Sequence, residues 1–341
     1  MTETQPLLPD RHPTRDFFVA DIFDSLPFKD DMASMSYPMF SLSKKKDMRN
    51  LEYQNGDLSI TIKPNTDGLP TIFDKDVLLY CGSLLMNEVN KGNTPPKTLR
   101  ISSRDLLIAT NRHTNDVGYK LLKKALDRLS GVKVKTNIKT NKREITKVFG
   151  LIDSYEVIES SRVKDRMVRL EVTLSDWFYN SIIGKEVLTI NRDYFRLRKP
   201  LERRLYEIAR KHCGYNREWS IGLDNLRARV GSTSSLTKFR FFINQQVSLD
   251  HLPSYQVTLS ETDIVTFKRR SAAPLIDLDD LQSLKPETVA KGAHIVQQAG
   301  TGWDYTAIRT QFTEQLMGGF RPSKPDGAFI EFVKKKVRER P

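Results

Sequence analysis

The sequence predicts a mixed α+β chain: two tandem copies of one helix-and-hairpin module, followed by a small helical C-terminal region. Three observations carry this expectation. Apolar positions recur at a fixed lag of 120 residues, pairing Ile101 with Ile221, Leu106 with Leu226, Tyr119 with Phe239, Leu122 with Phe242 and Leu129 with Leu249. The order of elements read from hydrophobic periodicity is the same around both sets. Positive charge is concentrated: residues 115–147 carry a net +7 and residues 192–211 a net +5, out of +13 for all 341 residues.

Taken in order, residues 1–16 are polar and proline-punctuated and read as a disordered leader. Residues 17–48 mix apolar clusters with Lys44, Lys45 and Lys46 and read as an arm that packs on a neighbour, so that leader and arm together occupy 1–50. Two alternating runs, 51–53 and 58–62, flank Asn55-Gly56, a pair that tolerates the positive φ of a tight hairpin turn. A helix follows near 74–90, ended by Gly92 and the Pro95-Pro96 break. The first module then continues with a short strand at 99–101, helices at 105–110 and 115–129, and a pair of alternating strands at 132–139 and 144–157. The second module repeats that order: a helix at 199–212, a strand at 219–221, helices at 223–230 and 236–249, and strands at 255–259 and 264–268. Upstream, Leu85 falls on Leu205 and Val89 on Ala209 at the same lag, and Thr114 matches Ser234, each opening a helix. Helix, strand, helix, turn, helix and two strands is the order of a winged helix, a helix-turn-helix with an appended hairpin. The predicted boundaries are therefore 51–190 for the first winged-helix domain and 191–270 for the second.

Beyond residue 270 the chain changes character. Residues 271–284 include an acidic-apolar run that reads as a linker or a short partner-binding segment. Helices are predicted at 286–298 and 304–317, and a basic one from Asp326, with Ala328, Phe329, Phe332 and Val333 as its apolar stripe. Two readings of 271–341 stand: a helical module packed on itself, or a docking segment for another protein.

Composition bounds the function. Hydrophobic residues at 38% and charged residues at 28% describe a globular chain, and no run approaches the roughly 18 apolar residues of a spanning helix. The N-terminus lacks the pattern of a secretory signal, so a cytoplasmic protein without a membrane partner is expected. Cys81 and Cys213 stand apart from any paired-ligand spacing, which predicts neither disulfide nor structural zinc. The five histidines form no spaced pair, Gly184-Lys185-Glu186 lacks the rest of a phosphate-binding loop, and no Gly-x-Ser-x-Gly motif occurs. The expectation is no enzyme, no cofactor and no metal. A pI near 9.6 implies an anionic partner.

The charge pattern names the residues that would meet it. A helix entering the major groove must be apolar behind and basic in front. In the helix at 115–129, Gly118, Leu122, Ala125, Leu126 and Leu129 share one face, while Lys120, Lys123, Lys124 and Asp127 point away from it; Asn115, at its start, is a further candidate for contact with DNA. The hairpin at 132–147 sets Val132, Val134 and Ile138 against Lys133, Lys135 and Lys139, with Lys142 and Arg143 near its turn, a strip suited to phosphates. In the second copy the corresponding candidates are Ser235, Thr237, Lys238, Arg240 and Asn244; Arg pairs bidentately with guanine and Asn with adenine. Lys268 and Arg269 end its hairpin. Between the copies, Arg196, Arg198 and Lys199 fit either phosphate contacts or ion pairs with Asp193, Glu202 and Glu207 at the junction.

Four stretches resemble a known family: Met32-Ala-Ser-Met-Ser-Tyr-Pro-Met-Phe-Ser-Leu-Ser43, Thr71-Ile-Phe-Asp-Lys-Asp76, Phe149-Gly-Leu-Ile-Asp-Ser154 and the long run from Val172 to Gly214, continued by Phe239-Arg-Phe-Phe242. Over residues 17–270 the chain is similar to the bacterial plasmid replication initiators of the replication initiator protein A type. That resemblance implies binding to double-stranded plasmid origin DNA, often at repeated sites, followed by duplex opening and recruitment of the host replication initiator and helicase. It also implies that homodimers can form and that the protein can repress its own gene. A transcriptional regulator of the same fold is the alternative the residues leave open.

Overall fold

The computed structural model describes residues 7–12, 28–55, 58–90, 92–137, 147–159, 167–184, 186–213, 216–270, 284–299, 305, 308, 311, 312 and 325–338. They fall into two units, 1–270 and 271–341. The fold is mixed α+β, and its sheets are antiparallel.

The first unit opens with strand β1 (Phe28–Asp31) and the short helix α1 (Met32–Ser36). Met35, Met39 and Phe40 are buried in the same core as the rest of the unit. Residues 7–12, expected as disordered leader, are held against the body instead. The Leu8 amide donates to the Arg196 carbonyl at 2.8 Å, and the Arg11 amide to Asn111 Oδ1 at 2.8 Å. The expected hairpin forms as β2 (Leu51–Asn55) and β3 (Leu58–Lys63), paired from Leu51↔Ile62 to Asn55↔Leu58. That register makes 56–57 the connecting pair, outside the described residues.

Helix α2 (Lys75–Asn90) is followed by β4 (Thr98–Ser102), α3 (Ser103–Ala109) and α4 (Asp116–Gly131). Here the structure departs from the expected hairpin. Strands β5 (Lys133–Thr136) and β6 (Lys147–Phe149) pair with each other, but they belong to a four-stranded sheet of order β2-β3-β5-β6. The expected continuous strand 144–157 is broken at Gly150, where a Cβ would stand 2.6 Å from the Ile152 carbonyl oxygen and 2.9 Å from that of Ser130. Only glycine permits this close corner. After it, β7 (Ile152–Glu159) and β8 (Met167–Leu174) form a second hairpin in the order β4-β8-β7. Helix α5 (Asp176–Ile183) and β9 (Val187–Ile190) complete this half, and β9 pairs with β1.

The second half contains α6 (Pro200–Cys213), β10 (Glu218–Gly222), α7 (Leu223–Val230), α8 (Leu236–Leu249), β11 (Tyr255–Leu259) and β12 (Ile264–Arg269). Its sheet runs β10-β12-β11, the order also found in β4-β8-β7: opening strand, last strand, middle strand. Strands β4 and β10, helices α3 and α7, and helices α4 and α8 each begin 120 residues apart. Asn111 and Gly231, at the same interval, take positive φ of 55° and 75° in the turns that follow α3 and α7. The N-caps of the outer helices are Asn115 and Ser235, whose side chains accept from the amides of Gly118 and Lys238. The caps were expected one residue earlier, at Thr114 and Ser234. Of the five lag-120 pairs, Leu106/Leu226 and Tyr119/Phe239 are buried in both copies; Ile221 and Phe242 are half-buried where Ile101 and Leu122 are enclosed, and Leu249 is exposed where Leu129 is enclosed.

One core runs from Met35 to Phe267, and α6 passes through it. Pro200 sits at the first helical position, where a missing N–H costs nothing, and Glu202 Oε2 accepts from the amides of Arg198 and Lys199 at 3.0 and 2.9 Å. Its charged residues Arg203, Arg204 and Glu207 are buried. A buried charge is tolerated only when paired and hydrogen-bonded, and these are. Arg203 Nη1 lies 2.6 Å from Asp76 Oδ1 and stacks over Phe73 and Tyr194; Asp76 Oδ2 also accepts from Arg112 at 2.9 Å. Arg204 donates to Glu207 at 3.0 Å and to the Ser34 carbonyl at 2.7 Å, while Glu207 Oε1 meets Lys75 Nζ at 3.1 Å and Tyr194 Oη at 2.7 Å. Helix α6 is thus joined ionically to α2. Cys81 and Cys213 are buried thiols, and burial pushes them up to about 12 and about 11.

In the second unit, α9 (Pro286–Ala299) packs on α10 (Pro325–Arg338), with Phe312, Phe329 and Val333 buried between apolar neighbours. Residues 305, 308, 311 and 312 are helical, and the remainder of the helix expected at 304–317 lies outside the described residues.

Candidate nucleic-acid interface

The turn between α3 and α4 is tight for a local reason. Gly118, in the first turn of α4, is buried against the His113 carbonyl oxygen, which a Cβ would approach to 1.8 Å. Tyr119, Leu122, Ala125, Leu126 and Leu129 bury the inner face of α4. On the opposite face Lys120, Lys123 and Lys124 are exposed. Among the described residues none of the three has an ion-pair partner. Two large apolar side chains stand with them, Val117 at 60% exposure and Leu121 at 54%. Asn115 is exposed, with its side-chain oxygen engaged in the cap.

Helix α8 buries Phe239, Ile243 and Gln246 and exposes Thr237, Lys238, Phe241 and Asn244. Ser235 serves as its cap. Arg240, expected as a base reader, is ion-paired with Asp263 in the β11–β12 turn. That pairing fixes the turn against the helix and engages the guanidinium. Lys268 is exposed on β12 with Arg269 beside it, half-buried, its amide donating to the Arg217 carbonyl.

The sheet β2-β3-β5-β6 places Lys133 and Lys135 on one face, and the register sets Lys63 directly opposite Lys133. All three are exposed. Like charges placed opposite each other repel, which favours an anion over this strip. Lys63 was missed by sequence reasoning, because only the β3–β5 register brings it to Lys133. Lys139, Lys142 and Arg143 lie outside the described residues.

The junction residues divide. Arg196 is engaged by Asp193 at 2.9 Å and by the Leu8 carbonyl at 2.7 Å. Lys199 stands 4.0 Å from Glu202 and is exposed. Arg198 borders a cleft of about 850 Å³ beside α4, whose walls also carry Arg11, Lys44, Lys45, Lys46 and Lys124. Two carboxylates of that cleft are neutralised within the protein, Asp74 by Arg128 at 2.7 and 2.8 Å and Asp76 by Arg112 and Arg203. The cleft therefore presents net positive charge next to the lysines of α4. Sequence reasoning also missed Val117, Leu121 and Phe241, since an apolar residue on an amphipathic helix is assigned by default to its buried face.

Helix α4, helix α8, the β2-β3-β5-β6 strip and the cleft thus carry exposed cations. Among the described residues, no helix is long and apolar enough to cross a membrane.

Comparison with known proteins places the chain among relatives. Residues 29–257 match the family described as replication initiator protein A. A protein of Wigglesworthia glossinidia brevipalpis, whose name proposes a replication role, is 38% identical over 261 residues, covering 75% of this chain and 94% of its own. Two solved structures of domains 2 and 3 of RctB align over 68% and 69% of this chain and 95% and 94% of theirs. Their TM-scores are 0.47 and 0.42, with 13% and 12% identity. With the family match spanning 229 of 341 residues and the relative covering most of both chains, this protein belongs to the replication initiator protein A family.

Proposed function

We propose that this initiator binds double-stranded plasmid origin DNA sequence-specifically through two winged-helix modules, α2 to β8 and α6 to β12, and acts without catalysis of its own. The observation that carries the reading is the pair of outward helices, α4 and α8. Each is capped by the residue before it, each begins 120 residues from the other, and each shows a polar or basic face beside a hairpin of the same strand order. In this reading Lys120, Lys123, Lys124, Thr237, Lys238 and Asn244 enter major grooves, and Lys63, Lys133, Lys135 and Lys268 neutralise phosphates. Arg240 acts by holding the β11–β12 turn in place, and is available to guanine only if Asp263 releases it. Recruitment of the host initiator and helicase, repeated sites and homodimer formation belong to the same reading, supported by family membership.

The test places the gene with its upstream DNA on a plasmid lacking any other origin. Replication with the intact chain, and its loss with Lys120→Ala and Lys124→Ala combined, is the expected result. Replication that persists with both lysines removed overturns the assignment of α4. Binding to the upstream DNA without replication favours a transcriptional regulator.

A further inference from the structure

Large apolar side chains exposed to water are few in this protein: among the described residues they are Met48, Val117, Leu121, Val148, Ile158, Phe241, Leu249 and Ile264. Four of the eight lie on α4 and α8. Leu121 and Phe241 are 120 residues apart, at 54% and 58% exposure, and so occupy the same station on the two helices. On α4, Lys120 and Lys124 flank Leu121. On α8, Thr237 and Asn244 lie one turn before and after Phe241, sharing its outward face. The neighbouring Phe242 is half-buried with Lys238 Nζ 5.9 Å from its ring, and its ring centroid is 6.0 Å from that of Phe241. Phe241 is thus backed by a packed aromatic rather than left alone.

An apolar side chain at the centre of a polar or cationic face has no use for a phosphate. The major-groove edge of a duplex offers one apolar group, the C5-methyl of thymine, and Phe is among the side chains suited to it. We infer that Leu121 and Phe241 are the specificity-determining residues that read thymine methyl groups, one in each of two half-sites. The inference rests on the DNA-binding reading above and names the base edge that the two helices recognise. Lys120 and Lys124 beside Leu121, and Lys238 one turn before Phe241, bring the duplex in, and the apolar contact selects where it stops.

The experiment uses the full chain and a pool of random 30-base-pair duplexes, enriched through rounds of binding, with the recovered site remade carrying deoxyuridine in place of single thymidines. Deoxyuridine removes only the methyl. The recovered site is expected to hold a thymine in each half whose methyl contributes about fourfold in affinity. Leu121→Ala abolishes that methyl dependence in one half and leaves the other intact; Phe241→Ala does the converse. Lys123→Ala weakens all duplexes alike and preserves both dependences. Sites without thymine, or duplexes bound equally with and without methyls while both variants bind like the parent, overturn the inference and leave DNA binding standing. An apolar docking face for another protein is then the role of Leu121 and Phe241. Failure to enrich any duplex overturns the DNA-binding reading itself.

Discussion

Replacing Lys120, Lys123 and Lys124 together by alanine isolates the electrostatic contribution of α4. All three side chains are exposed, and the buried face formed by Tyr119, Leu122, Ala125, Leu126 and Leu129 is untouched. Alanine is the better helix former, so stability should stay within about 0.5 kcal/mol of the parent. Each phosphate neutralised contributes about 0.9 to the slope of log affinity against log salt, so losing three contacts lowers the slope by about 2.7. At physiological salt the same counterion release amounts to about 1 kcal/mol per contact. The triple variant should therefore bind roughly a hundredfold more weakly. Fluorescence anisotropy on duplex DNA at four or five sodium chloride concentrations reads both quantities, and thermal melting checks the fold. An unchanged slope in a variant that melts like the parent would refute the placement of α4 against DNA.

Three further outcomes follow from the packing. Gly118→Ala forces a Cβ onto the His113 carbonyl, and should cost about 2 to 3 kcal/mol in urea unfolding and weaken DNA binding. Gly327→Ala, with nothing within 4 Å, should change little; equal effects would remove the steric account. Asp76→Ala leaves Arg112 and Arg203 without their shared carboxylate and should destabilise by about 3 to 5 kcal/mol, part of which Arg203→Met restores in the double variant; a loss below 1 kcal/mol would dismiss the pairing. His212 is held down to about 4 by burial, and then by Arg229, Lys211 and Arg204, with Arg229 donating to its Nε2 at 2.7 Å. Its folded pKa lies below the unfolded 6.5, so stability is full above pH 6.5 and declines as pH falls from 6.5 towards 4. His212→Gln should flatten that decline in urea melts across the window, and parallel curves for both proteins would place its origin elsewhere.

Much of the fold was legible because local signals agreed. In the second half, α7, α8 and β11 have the boundaries that periodicity and turn residues set, although the cap of α8 is Ser235 and not Ser234. The first half was harder for a definable reason. Residues 133–136, 147–149 and 152–159 all alternate, and alternation cannot say which strand pairs with which. Pairing was decided by β4, which takes β8 as its neighbour, and by the corner at Gly150. Within the candidate interface, Lys120, Lys123 and Lys124 were readable because lysines opposite an apolar stripe must face outward. Arg240 was not, because its partner Asp263 is distant in sequence and meets it only once the β11–β12 hairpin closes. The arginines at the junction were ambiguous for the same reason: Arg203 is satisfied by Asp76, 127 residues away.

The charged helix at the centre of the first unit has a mechanical consequence. Because Arg203, Arg204 and Glu207 bind Asp76, Lys75 and the Ser34 carbonyl inside one core, the separation of α4 and α8 is set by packing and not by a tether. In the proposed complex such a rigid caliper tolerates only one phase of its target. Inserting a single base pair between the two half-sites shifts one by about 3.4 Å and turns it by about 35° around the axis. The protein can follow only by breaking ion pairs that water does not reach, so spacing and sequence become equally stringent parts of the address.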